Sequence, residues 1–225
     1  MIRQLTFDLP AQEAWQREDF FISPTNALAL STIDHWQNWP LRKLVLIGPE
    51  GSGKTHLAHL FSTAAGGQIL SAADLADVHL PDLAVAGAVV VEDAEAVAGD
   101  RAREEALFHL HNLLATNGHL LITAKRPVRD WGIVLPDLKS RMEAAGVARL
   151  EAPDDQLLSA VLVKLFNDRQ VMVPPTLIGW LVSRMERSLA AARSLVAALD
   201  AQALSEGKPI TRAMAAALLD SDASE

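Results

Sequence analysis

The sequence predicts an α/β core built on a parallel sheet covered on both faces, followed by a small bundle of helices. Three observations carry this. From Leu41 to Leu150, short apolar runs alternate with segments whose apolar residues recur at helical spacing. One run leads into a glycine-rich loop that opens a helix, Gly48-Pro49-Glu50-Gly51-Ser52-Gly53-Lys54-Thr55. After Pro153, four helical stretches follow one another with no strand between them.

Taken in order, Arg3 to Leu9 reads as a short extended piece and Ala27 to Trp36 as a helix. Leu44 to Ile47 is a buried strand, and the helix after the loop carries its apolar residues from Thr55 to Phe61. Gln68 to Ser71 forms a second strand, and Ala88 to Asp93 an apolar strand ending in two acids. Arg101 to Ala115 is an amphipathic helix with Leu107, Leu110, Leu113 and Leu114 as its buried stripe. His119 to Thr123 is another buried strand. Pro136 opens a short helix to Ala145, Gly146 stops it, and Val147 to Leu150 closes the sheet. The later helices span Asp154 to Arg169, Pro174 to Glu186, Ser188 to Ser205 and Thr211 to Leu219, with Pro174-Pro175 as one entrance and Ser188 as an N-cap. The expected division is an N-terminal segment over 1–19, a core over 20–152 and a helical lid over 153–225.

Composition narrows the function classes. Of 225 residues half are apolar, ample for a packed core. The formal net charge of −8 repels a phosphate backbone at long range, so free-standing, sequence-specific DNA binding is not expected. The absence of cysteine excludes disulfide and thiol chemistry. Residues 1–10 lack the basic and apolar segments of a signal peptide, and no run of about eighteen apolar residues could span a membrane. A cytoplasmic protein is expected.

The glycine-rich loop fits a nucleoside di- or triphosphate. Its glycines let backbone N–H groups approach phosphate oxygens without a Cβ in the way. Lys54 adds a positive point charge near the terminal phosphates, and Thr55 offers its hydroxyl to Mg²⁺. The helix opening at Gly53 points its positive end at the same anion. Glu92-Asp93 ends a buried strand facing the loop; one carboxylate there can hold Mg²⁺, for which Glu92 is the candidate, and a second can orient an attacking water. His109-x-His111 lies within a helix, where residues two apart face different ways, so a metal site is not expected. The five tryptophans are scattered and read as packing.

These residues resemble the ATPases associated with diverse activities (AAA+), and within them the branch of the replication initiator DnaA. Asp19-Phe20-Phe21-Ile22-x-x-x-Asn26 is similar to that branch's adenine-side box, and Gly51-Ser52-Gly53-Lys54-Thr55-His56-Leu57 to its loop signature. Leu121-Ile122-Thr123-x-x-Arg126-Pro127 resembles its sensor strand, Leu138-Lys139-Ser140-Arg141 its arginine-finger box, and Ala192-Arg193-Ser194-Leu195 its second sensor. The resemblance runs from about Phe20 to Leu219. It implies ADP or ATP with Mg²⁺ as ligand, held by Phe21, Ile22, Asn26, Glu50 to His56 and Arg193. It also implies that Arg141 acts in trans on a neighbouring subunit's nucleotide.

DnaA initiators carry an N-terminal interaction domain and a C-terminal helix-turn-helix domain, for which this sequence has no room. It begins instead with Gln4-Leu5-Thr6-Phe7-Asp8-Leu9, similar to the peptide by which proteins dock on the bacterial sliding clamp. Gln4, Leu5, Phe7 and Leu9 are its candidate anchors, with an ordinary first strand or a disordered tail as the alternative. The combination resembles small DnaA-like regulators that inactivate the initiator. The implied partners are then the sliding clamp (the DNA polymerase III β subunit) and DnaA; self-association stays open. Two departures stand out. Glu92 replaces the aspartate usual in the branch, which puts efficient intrinsic hydrolysis in question. Lys125 replaces an acid, a charge reversal where the γ-phosphate region is sensed. A helicase-loader ATPase cycling its own ATP is the main competing reading. A metabolic nucleoside-phosphate kinase is disfavoured by the helical lid and Arg193.

Overall fold

The computed structural model describes residues 15–222. Gln4, Leu5, Phe7 and Leu9, the residues expected to dock on the clamp, lie outside them. Five parallel strands form one sheet: β1 (Lys43–Ile47), β2 (Gln68–Ser71), β3 (Ala88–Glu92), β4 (His119–Ala124) and β5 (Gly146–Arg149), in the order β2-β3-β4-β1-β5. Between them run α1 (Ala27–Asp34), ahead of the sheet, α2 (Lys54–Ala65), α3 (Leu80–Val85), α4 (Arg101–Leu113) and α5 (Pro136–Glu143). The chain continues through α6 (Asp155–Asp168), α7 (Pro175–Val182), α8 (Leu189–Glu206) and α9 (Arg212–Asp222).

The near-continuous apolar strands are explained by burial on both faces. Val45, Ile47, Val89, Val91, Leu120 and Ile122 join one hydrophobic cluster, which includes Leu107 and Leu110 of α4 and Leu138 and Met142 of α5. Leu44, Leu46, Ala88, Val90 and Leu121 join another with Leu30 of α1 and Leu57 and Phe61 of α2. This is the two-residue alternation of a pleated strand, with an apolar side chain wanted on either side. Fully burying residues such as Leu57 and Phe61 contributes about 1.5–3 kcal/mol each. The last four helices enclose a third cluster centred on Leu158, Leu162, Phe166, Leu181, Val196 and Leu199. Among the described residues no helix is long and apolar enough to cross a membrane.

Strand register sets up the site. Ile47 pairs with Ala124, and Val91 with Ile122, so the C-terminal ends of β1, β3 and β4 lie side by side. The loop after β1, the acids after β3 and the cations after β4 therefore emerge at one sheet edge, where open α/β sheets bind ligands.

Several elements differ from the sequence reading. Leu113 is half exposed, while Leu107, Leu110 and Leu114 are buried. At about 100° per residue these three share a face that Leu113 misses by more than a quarter turn. The strand after Gly87 ends at Glu92, because Asp93 turns into the left-handed region at φ 53°. Gly146 opens β5 instead of stopping a helix, and α5 ends at Glu143. The helix begun at Pro175 ends at Val182, short of Glu186.

Lys43 is a buried charge in this framework, with 1% of its surface exposed. Its Nζ donates to the carbonyls of Leu114 (2.9 Å) and Gly118 (3.1 Å), closing the end of α4. Burial first, then the Arg42 guanidinium, pushes its pKa down from 10.5 to about 8. Between those values the unfolded chain binds more protons, so stability should rise with pH across that window. Thermal melts at pH 7, 8, 9 and 10 should show this rise in the parent protein relative to Lys43→Met. Parallel pH profiles would contradict it.

Candidate functional site

The loop between β1 and α2 forms a cradle whose shape depends on two glycines. Gly51 and Gly53 have φ of 66° and 104°, conformations that favour glycine. A Cβ on Gly51 would lie 1.9 Å from Ser188 Oγ, so the lid approaches the loop at the one residue type that admits it. Leu189 N–H donates to Gly51 O at 2.8 Å, and Ser188 caps α8 by accepting from Ala191 N–H. The start of α8 is thereby fastened to the loop.

The cleft so made has a volume of about 250 Å³ and is lined by Trp15, Gly51, Gly53, Lys54, Thr55, His56, Ala190 and Arg193. Glycine at the N-cap provides no side-chain acceptor for the first turn of α2. Ser52 Oγ is buried without a hydrogen-bond partner among the described residues. Lys54 Nζ donates to the Gly48 and Pro49 carbonyls, both at 2.8 Å. Burial lowers the Lys54 pKa, with Asp93 acting in the opposite direction and Lys125 reinforcing the shift. An open helix N-terminus and a buried ammonium at the cleft together fit a polyphosphate. Thr55 is exposed at the same edge and lines the cleft, whereas Glu92 ends β3 outside the lining.

The acids after β3 are placed by β4. Asp93 N–H donates to Thr123 Oγ1 at 3.1 Å, which ties the turn after β3 to β4. Arg126 is engaged by Glu95, which accepts from its backbone N–H and lies 3.6 Å from its Nε. Lys125 Nζ meets Glu50 Oε2 at 2.6 Å across the lip of the loop.

Other expected ligand residues are placed differently. Asn26 is buried and uses its side chain on its own turn, accepting from Ser23 N–H and donating to Phe21 O, both at 2.9 Å. Phe21 and Ile22 do not line the cleft; Phe20 instead packs edge-on against His56, with ring centroids 5.1 Å apart. His56 donates from Nε2 to Gln16 O at 3.0 Å, and burial holds its pKa below the usual imidazole value.

Trp15 is, with Ala190, one of the two lining residues that sequence reasoning missed. Its ring stacks on His59 at 4.8 Å, meets His56 edge-on at 5.3 Å, and lies 5.4 Å below the Arg193 guanidinium. The only sequence signal is a histidine pair at helical spacing, His56 and His59, that a nearby aromatic could cover.

Arg141 does not join this cleft. It sits exposed on α5, whose buried side is Leu138 and Met142, and makes no ion pair among the described residues. The approach to α5 is fixed by Glu104, 2% exposed, whose carboxylate accepts from the N–H groups of Gly99, Val134 and Leu135. Burial opposes ionisation of Glu104, but those three N–H groups outweigh it and hold the carboxyl below its ordinary pKa. His111 is buried, and burial lowers its pKa. Among the described residues no cluster of three or more metal-ligating side chains occurs.

No family model matches this chain. Its fold, a five-stranded parallel sheet with helices, is shared with several solved structures. Domain III of the Thermotoga maritima replication initiation protein DnaA superimposes with a TM-score of 0.78 at 19% identity, covering 95% of this chain and 98% of that one. DnaA from Aquifex aeolicus bound to AMPPCP superimposes with a TM-score of 0.68 at 16% identity, over 80% and 63% of the two chains. A RuvB variant from Thermotoga maritima gives 0.60 at 18% identity, over 79% and 61%. This chain thus spans less than two thirds of that DnaA and of RuvB.

Proposed function

We propose that this chain is a nucleotide-binding regulator of replication initiation, of the kind Hda exemplifies. In this reading it binds ADP or ATP with Mg²⁺ between the loop and α8, docks on the sliding clamp through Gln4, Leu5, Phe7 and Leu9, and stimulates hydrolysis of DnaA-bound ATP in trans. The observation that carries it is the cleft itself, where Lys54 and Arg193 converge from core and lid on a DnaA-like framework. The neighbouring Aquifex DnaA binds AMPPCP, which supports the same ligand class here. Arg141 supports the trans role: an exposed guanidinium outside its own site is free to stabilise charge in another subunit's site. Glu104 and its three N–H donors support the same role by holding α5 in place.

A second reading, a loader-type ATPase cycling its own ATP, is favoured by one observation: Asp93 is close enough to influence Lys54 electrostatically. A single assay separates the two. DnaA-bound ATP is followed with and without this protein and a DNA-loaded clamp. Clamp-dependent stimulation, lost in the Gln4→Ala, Leu5→Ala double variant, is expected of the regulator. Rapid turnover of free ATP with no effect on DnaA would establish the loader instead.

A further inference from the structure

One side chain ahead of the core joins the phosphate loop's helix to the lid. Trp15 precedes α1 in the chain, yet its indole touches both α2 and α8. It stacks on His59 of α2, with the two rings 1° from parallel and their centroids 4.8 Å apart. It also meets Arg193 of α8, whose guanidinium carbon lies 5.4 Å from the centre of the ring. His56 closes on the same indole edge-on at 5.3 Å. The indole is thus engaged by core and lid together.

Arg193 is half-buried and makes no ion pair among the described residues, so the indole is its counter-group. Its direction is set by α8. Leu189 N–H is fastened to the Gly51 carbonyl at 2.8 Å, and Arg193 stands one helical turn further on the same face. The guanidinium therefore faces the cleft that it lines with Trp15, Lys54 and Thr55.

An indole and a phosphate compete unequally for such a cation. An aromatic face attracts a guanidinium through its quadrupole alone. Phosphate oxygens carry full opposite charge and accept two of its N–H groups side by side. A bound phosphate therefore takes the cation, and the contact that must first be broken lowers the apparent affinity of the ligand.

We infer that Trp15 is a built-in competitor for Arg193, holding the guanidinium when no nucleotide is bound and yielding it to the phosphates of one that is. This rests on the nucleotide reading of the cleft and adds to it a control on affinity by the stretch ahead of α1. Anything that draws Trp15 off Arg193 raises nucleotide affinity, and bound nucleotide loosens Trp15 to the same extent.

The test is calorimetric titration of the full chain with ADP in the presence of Mg²⁺. Trp15→Leu keeps an apolar side chain beside His59 but offers no aromatic face. It should tighten ADP about threefold to fivefold, as expected when one cation–π contact no longer opposes binding. Trp15→Phe, with its smaller ring, should fall between Trp15→Leu and the parent. Arg193→Ala should weaken ADP, and on that background Trp15→Leu should gain nothing, because no cation is left to release. Trp15 belongs to none of the three hydrophobic clusters, so the fold should survive each substitution. Equal or weaker ADP binding by Trp15→Leu, or a gain that persists with Arg193→Ala, would overturn this inference and leave the nucleotide reading standing. A parent that bound no ADP would overturn both.

Discussion

Arg141→Ala should retain the fold, nucleotide affinity and clamp docking, yet lose stimulation of DnaA-bound ATP hydrolysis by about 10³-fold or more. The size follows from the role: a guanidinium reaching another subunit's site acts on charge that develops only in the transition state. The fold should survive because α5 is held by Leu138 and Met142 in the core and by Glu104 at its approach, none of which involves Arg141. Arg141→Lys should recover little, since a compact ammonium cannot present the planar fork of donors. The measurement is single-turnover hydrolysis of ATP preloaded on DnaA, with each variant at matched concentration. Full stimulation by Arg141→Ala would move the role to another arginine. Arg149, exposed at the end of β5, and Arg126, exposed after β4, would be tested next.

Lys54→Ala should weaken ADP binding about 100-fold, the range expected for losing charge-assisted contacts to phosphate. Its ammonium rests on the Gly48 and Pro49 carbonyls at the floor of the loop, and burial has already lowered its pKa. A phosphate would supply the opposite charge this buried lysine lacks, so the bound state loses most when the lysine is removed. Ligand stabilisation offers a second readout. ADP at 100 times its Kd stabilises the parent by about 2.7 kcal/mol, whereas the same concentration should barely shift the variant. Equal ADP affinity in the two proteins would mean that the loop does not hold the phosphates.

The core was legible because its signals are local. β1, β3 and β4 are buried on both faces and so read as continuous apolar runs, and the Gly51 and Gly53 conformations are written in the glycines themselves. The lid helices follow from spacing and from the caps at Ser188 and Pro175. What escaped depends on tertiary contact. The short helix Leu80–Val85 packs Leu80, Leu83 and Ala84 only partly buried against the core, a stripe too short to establish a helical period. The docking of Ser188 on Gly51 joins residues more than a hundred positions apart, and neither shows it alone. Glu104 reads as one more acid on a helix, yet it is buried and anchors the approach to α5. Asn26, placed by its motif near the base, supports its own turn, because an amide two bonds from the backbone satisfies nearby N–H and C=O groups first.

The most direct test of the central claim, that the cleft between loop and lid is a nucleotide site, is a titration of the full chain with ADP and Mg²⁺ read by tryptophan emission. Trp15 lines that cleft beneath Arg193, so bound ADP should change its surroundings. The account predicts a saturable change at one ADP per chain, largely lost in Trp15→Phe while calorimetry still detects binding. No saturable ADP binding by either method would contradict it.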